Sequence, residues 1–180
     1  EPINLVCIDG SQADLLAHLA VHKLDLVLTD KPCDNQFHVK AFNHEIGKSE
    51  VGFFSLNSWI TSFQHNYPRC LTEKKLLMPA EDSPISRAIR YWANENKLEI
   101  TIAGYVDDSA LMKALAQRGS GIFPAPLLIQ EEIEQNYGVK CLGTIDNIFQ
   151  SYYLITPERL ITSDLVSKII TTARAIYTTD

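Results

Sequence analysis

The hydrophobic pattern of this chain switches between a strand-like run and a helical period, and the switches mark its elements. Residues 3–8, Ile-Asn-Leu-Val-Cys-Ile, are a short, mostly apolar run suited to a buried strand. A helical period follows Ser11. Leu15, Leu16, Leu19 and Ala20 fall on one face, and Ser11 with Asp14 has capping-box spacing. Residues 24–29, Leu-Asp-Leu-Val-Leu-Thr, read as the next strand. Strand, helix and strand in this order predict a parallel pair with a right-handed crossover. Residues 50–57 then give a long apolar strand around Val51-Gly52-Phe53-Phe54-Ser55-Leu56.

The middle of the chain repeats the alternation. Residues 75–78 are strand-like, and Ser83 caps a helix whose first position is Pro84, where a missing N–H costs nothing. Ile85, Ile89 and Trp92 share one face of that helix. A strand over 99–106 leads to a helix capped by Asp108, then to the strand Gly121-Ile122-Phe123. Pro126 opens a further helix and Gly138 ends it. A strand over 149–156 precedes the last helix, capped by Thr162 or Ser163, with Leu165, Val166, Ile169, Ile170, Ala173 and Ile176 as its stripe. Alternating strands and helices define an α/β chain.

Composition narrows the function. The chain has 180 residues and is 46% hydrophobic, enough for one domain or two small lobes. Its net charge of −6 argues against this stretch gripping DNA, because phosphate contacts need clustered Lys and Arg. No apolar run approaches the ~20 residues of a membrane helix, and no secretory segment opens the chain. It begins at Glu1-Pro2 without Met, as expected of a fragment or processed product. Cys7, Cys33, Cys70 and Cys141 make no Cys-x-x-Cys pair and read as idle cytoplasmic thiols.

Residues 116–124, Ala-Gln-Arg-Gly-Ser-Gly-Ile-Phe-Pro, carry a helix into a glycine stop and then an apolar strand ending in proline. This passage resembles the effector-binding half of LysR-type transcription regulators. The resemblance implies two Rossmann-like lobes of type 2 periplasmic-binding-protein character, joined by crossover strands at roughly 51–56 and 151–156. Lobe I would hold residues 1–56 and 154–180, and lobe II residues 57–153. The family's usual first strand and helix would be missing from lobe I. That strand normally lies between those matching 3–8 and 24–29. Its loss leaves a gap too wide for hydrogen bonds and predicts non-standard pairing or oligomer contacts there. Within the family, residues 107–114, 22–26 and 76–79 are similar to activators of sodium–proton antiporter expression, which implies Na⁺ as effector.

Ligands of open α/β sheets bind beyond the C-terminal strand ends, where helices begin. Five segments lie there: 9–11, 29–32, 79–83, 107–109 and 123–126. The ligand contacts expected from them are Ser11, Asp30, Asp82, Ser83, Asp107, Asp108, Ser109 and Pro124. By the resemblance these segments line the cleft between the lobes. Asp9, Asp30, Glu81, Asp82, Asp107 and Asp108 bring hard oxygen donors to that rim. Taken singly, an Asp there is a capping or turn residue.

Other constellations are weaker. His18 and His22 stand four apart on one helix but have no third ligand nearby. His22, His38 and His44 are loop candidates for pH sensing, set against ordinary surface histidines. No nucleophile elbow, P-loop or dinucleotide fingerprint is present, so neither an enzyme nor a cofactor is expected. The expectation is a cytoplasmic effector-sensing domain, a homodimer or homotetramer, with DNA held by a winged helix-turn-helix outside this chain and no membrane contact. The alternatives are a solute-binding receptor of similar fold, or a LysR-type regulator sensing a small organic ligand.

Overall fold

A computed structural model of the chain describes residues 4–34, 37–157 and 164–177. Six α-helices and six strands are assigned among them: α1 (Gln12–Ala20), β1 (Val27–Thr29), β2 (Phe42–Leu56), α2 (Asn57–Phe63), β3 (Lys75–Met78), α3 (Pro84–Glu95), β4 (Thr101–Tyr105), α4 (Ser109–Gln117), β5 (Phe123–Pro126), α5 (Gln130–Tyr137), β6 (Val139–Thr156) and α6 (Asp164–Tyr177). Two compact units divide them. The first holds Glu1–Lys48 and Ser151–Asp180, and the second holds Ser49–Gln150. No helix is long and apolar enough to cross a membrane among the described residues.

The second unit joins a parallel strand pair to an antiparallel one. β3 and β4 are parallel, with Lys75 opposite Thr101 and Met78 opposite Tyr105. Ile122 bridges to Leu76 in the parallel sense. Phe123 to Pro126 then pair antiparallel with β2, Phe54 opposite Phe123 and Val51 opposite Pro126. Adjacent strand residues face opposite sides, and here both sides are covered. Phe53, Leu76, Met78 and Ile122 pack with Ile85, Ile89 and Trp92 of α3. Phe54, Leu77 and Phe123 pack on the other face with Met112 and Ala116 of α4 and Ile133 of α5. Two-sided burial explains why the sequence around Phe53 is continuously apolar. Each buried Phe contributes about 1.5–3 kcal/mol.

Tyr67 packs, partly buried, against the core that contains Phe53 and Ile89. Its ring lies over Gly143, where an added Cβ would sit 2.7 Å from Tyr67 Cε1. Its hydroxyl donates to the Thr144 carbonyl at 2.7 Å. Burial, followed by the nearby Cys141, Asp146 and Cys70, pushes the phenol well above its ordinary pKa.

In the first unit, β1 pairs antiparallel with β6, Val27 opposite Ile155 and Thr29 opposite Tyr153. Leu16 and Leu19 of α1 are fully buried against Val27 and Ile155. Ile170 of α6 packs with Ile46 and Leu154, and Val166, Ile169 and Ala173 flank it. His44 Nε2 lies 2.8 Å from Thr156 Oγ1, and Arg174 Nε donates to the Glu45 carbonyl at 3.2 Å. Burial, then the positive charge of Arg174, lowers the His44 pKa.

Several expectations need correction. Residues 4–8 form no strand, and Leu5, Val6 and Ile8 stay 75%, 73% and 50% exposed. A strand requires a partner backbone, and none of the described residues offers one to this run. The predicted parallel pair is therefore replaced by antiparallel pairing of β1 with β6, and β1 keeps only three of the residues expected over 24–29. β2 and β6 begin well before the predicted crossover segments and run 15 and 18 residues. The strand expected over 99–106 is shorter, and α2 was not anticipated. In α1 Ala20 faces solvent, and in α6 Leu165 and Ile176 do. The cap expected at Thr162 or Ser163 lies outside the described residues.

Candidate functional site

In the second unit, parallel β3 and β4 end side by side, and the Val106 amide donates to the Met78 carbonyl at 2.8 Å. The two loops that follow, 79–83 and 106–108, therefore emerge together at one end of the sheet. Each feeds a capped helix. Ser83 is extended (φ −66°, ψ 148°) and its Oγ accepts from the Ser86 amide at 3.1 Å, with Pro84 at the first helical position. Asp108 is extended too (φ −79°, ψ 111°), and one carboxylate oxygen accepts from the Ala110 and Leu111 amides at 2.8 and 3.1 Å. Both helix starts present the positive end of a helix dipole.

Sequence reasoning placed Asp82, Ser83, Asp107, Asp108 and Ser109 here, and the structure brings them to this one sheet end. Asp82, Asp107, Asp108 and Ser109 are exposed, whereas Ser83 is buried. Pro124 differs. It lies buried inside β5 opposite Phe53, two residues beyond the Ile122 carbonyl that accepts from the Leu77 amide at 2.8 Å.

Ser11 and Asp30 belong to the first unit. Ser11 caps α1, accepting from the Asp14 amide at 3.2 Å and donating to the Asp14 carboxylate at 2.6 Å. The adjacent Gln12 side chain donates to the Lys31 carbonyl at 2.9 Å, which ties the start of α1 to the loop containing Asp30.

The sequence reading missed how the loop before α3 is held. Four successive carbonyls are engaged. Pro79 O accepts from Ser86 Oγ at 2.8 Å and Ala80 O from the Ser83 amide at 3.0 Å. Glu81 O accepts from Arg90 Nη2 at 2.8 Å and Asp82 O from Arg87 Nη1 at 2.7 Å. Arg90 Nη1 also reaches the Glu81 carboxylate at 3.1 Å and the Tyr105 hydroxyl at 3.0 Å. The available signal was the placement of Ser86, Arg87 and Arg90 three, four and seven positions after the cap, on turns of α3 that face back toward its own start.

Among the described residues no group of three or more His, Cys, Asp or Glu could hold a metal ion. All four cysteines are free, and burial raises the pKa of Cys33, Cys70 and Cys141. Raised thiol pKa values leave little thiolate to react. Of the histidines weighed for pH sensing, His44 is not a loop residue but part of β2.

No protein-family model matches the chain. Among solved structures, HinK, a LysR family transcriptional regulator from Pseudomonas aeruginosa, superposes with a TM-score of 0.72 at 13% identity, over 93% of this chain and 57% of that one. The effector-binding domain of BenM with its effector benzoate gives 0.68 at 15% identity, over 93% and 76%. The chain therefore has the fold that HinK and the effector-binding domain of BenM share. In sequence it is similar to the transcriptional activator protein NhaR of Escherichia coli K12, at 34% identity over 172 residues, 96% of this chain and 56% of NhaR. NhaR of Shigella flexneri matches equally. The chain thus spans little more than half the length of these curated relatives.

Proposed function

We propose that this chain is the effector-sensing and oligomerising domain of a cytoplasmic LysR-type transcriptional activator, and that its effector is Na⁺. The observation that carries the reading is the similarity to NhaR over 96% of the chain, which joins a LysR-type fold to a named activator. DNA binding is assigned to a winged helix-turn-helix outside these residues, in keeping with the net charge of −6. The ligand contacts proposed are Ser11 and Asp30 in the first unit and Asp82, Ser83, Asp107, Asp108, Ser109 and Pro124 in the second. Carboxylate and hydroxyl oxygens suit a hard cation, with water completing its shell. The effector acts only if it binds one conformation better than another, because equal affinity shifts no equilibrium.

A second reading, a small organic anion, is favoured by the two helix N-termini at the end of β3 and β4. Thermal unfolding separates the two. Midpoints are compared in NaCl, LiCl, KCl and choline chloride at matched ionic strength, and in sodium benzoate against NaCl. Ligand at a hundred times its Kd stabilises by about 2.7 kcal/mol, a shift of several degrees for a chain of this size. A rise confined to Na⁺ and Li⁺ is the expected result. Equal midpoints in the four chlorides would sink the sodium reading, and a rise with benzoate alone would establish the anion.

A further inference from the structure

We propose that Arg90 is a positioning residue for the effector-facing end of the second unit, coupling the loop before α3 to the loop before α4. The proposal deepens the functional reading above and rests on its choice of 79–83 and 107–109 as ligand-facing segments. Arg90 stands in the second turn of α3, seven residues after the cap, and its hydrogen bonds described go to Glu81 and Tyr105, not to a proposed ligand contact. Its guanidinium instead grips three acceptors on two separate segments. Glu81 supplies its carbonyl at 2.8 Å and its carboxylate at 3.1 Å, and Tyr105 supplies its hydroxyl at 3.0 Å. Glu81 immediately precedes Asp82 and Ser83, and Tyr105 is the last residue of β4, two before Asp107.

The rigid fork of an arginine explains the choice of residue. A lysine ammonium is a point donor and cannot span a carbonyl, a carboxylate and a hydroxyl held in fixed geometry. Strength is not the issue. The Arg90–Glu81 pair is 35% and 68% exposed, so as an ion pair it contributes little. What the fork supplies is a common anchor. Ser86 and Arg87 hold only the 79–82 loop, through Pro79 O and Asp82 O, whereas Arg90 alone among the α3 side chains described also holds the end of β4. Displacing that loop therefore disturbs the approach to Asp107, Asp108 and Ser109.

The test uses the whole chain and amide hydrogen exchange, read together with the sodium response. The reporters are Ser83, whose amide donates to Ala80 O, and Val106, whose amide donates to Met78 O. Leu77 and Ile122, hydrogen-bonded in the sheet interior, serve as controls. Arg90→Ala should raise exchange at both Ser83 and Val106, by roughly two- to five-fold for contacts of this exposure, with the controls unchanged. Arg90→Lys should fail to restore Val106, and Tyr105→Phe should raise Val106 alone. The NaCl-specific rise in unfolding midpoint should shrink in Arg90→Ala.

Unchanged exchange at Val106 in Arg90→Ala would overturn the coupling, and so would full rescue by lysine. Exchange rising equally at the controls would also overturn it, by showing that Arg90 acts on the fold at large. If the wild-type chain shows no sodium-specific rise, the Na⁺ reading fails by itself, and the exchange pattern still decides the role of Arg90.

Discussion

Replacing Asp108 separates what this carboxylate does for the helix from what it does for a ligand. One oxygen accepts two amides, Ala110 at 2.8 Å and Leu111 at 3.1 Å, at the start of α4. Asp108→Ala leaves both donors to water and should cost about 1 kcal/mol, within a range of about 0.5–2. The loss of charge at the positive end of the helix adds about 0.3–1 kcal/mol. Asp108→Asn keeps an acceptor oxygen and should forfeit only that charge contribution. Asp107 makes no described side-chain bond, so Asp107→Asn should fall within about 0.5 kcal/mol of wild type. Urea unfolding measures all three as midpoint shifts at constant slope. The expected order is wild type and Asp107→Asn highest, then Asp108→Asn, then Asp108→Ala. An Asn variant as unstable as the Ala variant would refute the capping argument. The double variant Asp107→Asn, Asp108→Asn keeps the cap and removes two charges, so it should stay folded while losing the sodium-specific rise. A full sodium response in that variant would refute the assignment of these carboxylates as cation contacts.

Two further outcomes follow from geometry elsewhere. Because burial and Arg174 hold the folded His44 pKa below 6.5, the unfolded chain takes up the proton first on acidification. Stability from this group is complete above about pH 6.5 and is lost as pH falls through the folded pKa. His44→Gln should therefore lose less stability between about pH 7.5 and 5.5 than wild type, and an equal loss in urea midpoints would exclude His44 as a source. Gly143→Ala drives a Cβ to 2.7 Å from the Tyr67 ring, which is not a flexible chain end, and should cost about 1–3 kcal/mol. Restoration of its thermal midpoint by Tyr67→Leu would support that contact, and a neutral Gly143→Ala would contradict it.

Helix starts capped by a side chain were the most legible part of this chain, because a cap is a local contract among four residues, whereas α5, expected to open at Pro126, starts at Gln130 without a side-chain cap. Ser11 with Asp14, Ser83 with Pro84, and Asp108 all stand where the sequence placed them, and Gly138 ends α5 in the left-handed region at φ 60°. Strands were less legible, because their partners lie far off in sequence. Residues 4–8 have the composition of a buried strand and no strand neighbour among the described residues to make them one. The double-sided run at Phe53 and Phe54 was read correctly, yet nothing local predicted that β2 would extend back to Phe42. The helix α2 escaped notice because Asn57–Phe63 is seven residues long and has no side-chain cap. At the candidate site, the caps could be read from spacing alone. The grip of Arg90 on Tyr105 could not, since it depends on β3 and β4 lying side by side.

The short segment from Ile122 to Pro126 has a consequence for how the second unit is made. It joins β3 on one side through Ile122 and β2 on the other through Phe123 to Pro126. Both partners lie tens of residues earlier, so a growing chain can form the β3–β4 pair well before it can join that pair to β2. Closing the seam carries the loop-closure entropy of the whole unit, and contacts of such high order form slowly. Until residue 126 is available, the apolar flanks of Phe53, Phe54, Leu76 and Leu77 have no strand between them. The two halves of the unit thus stay unjoined until late, which places its period of greatest aggregation hazard before the seam closes.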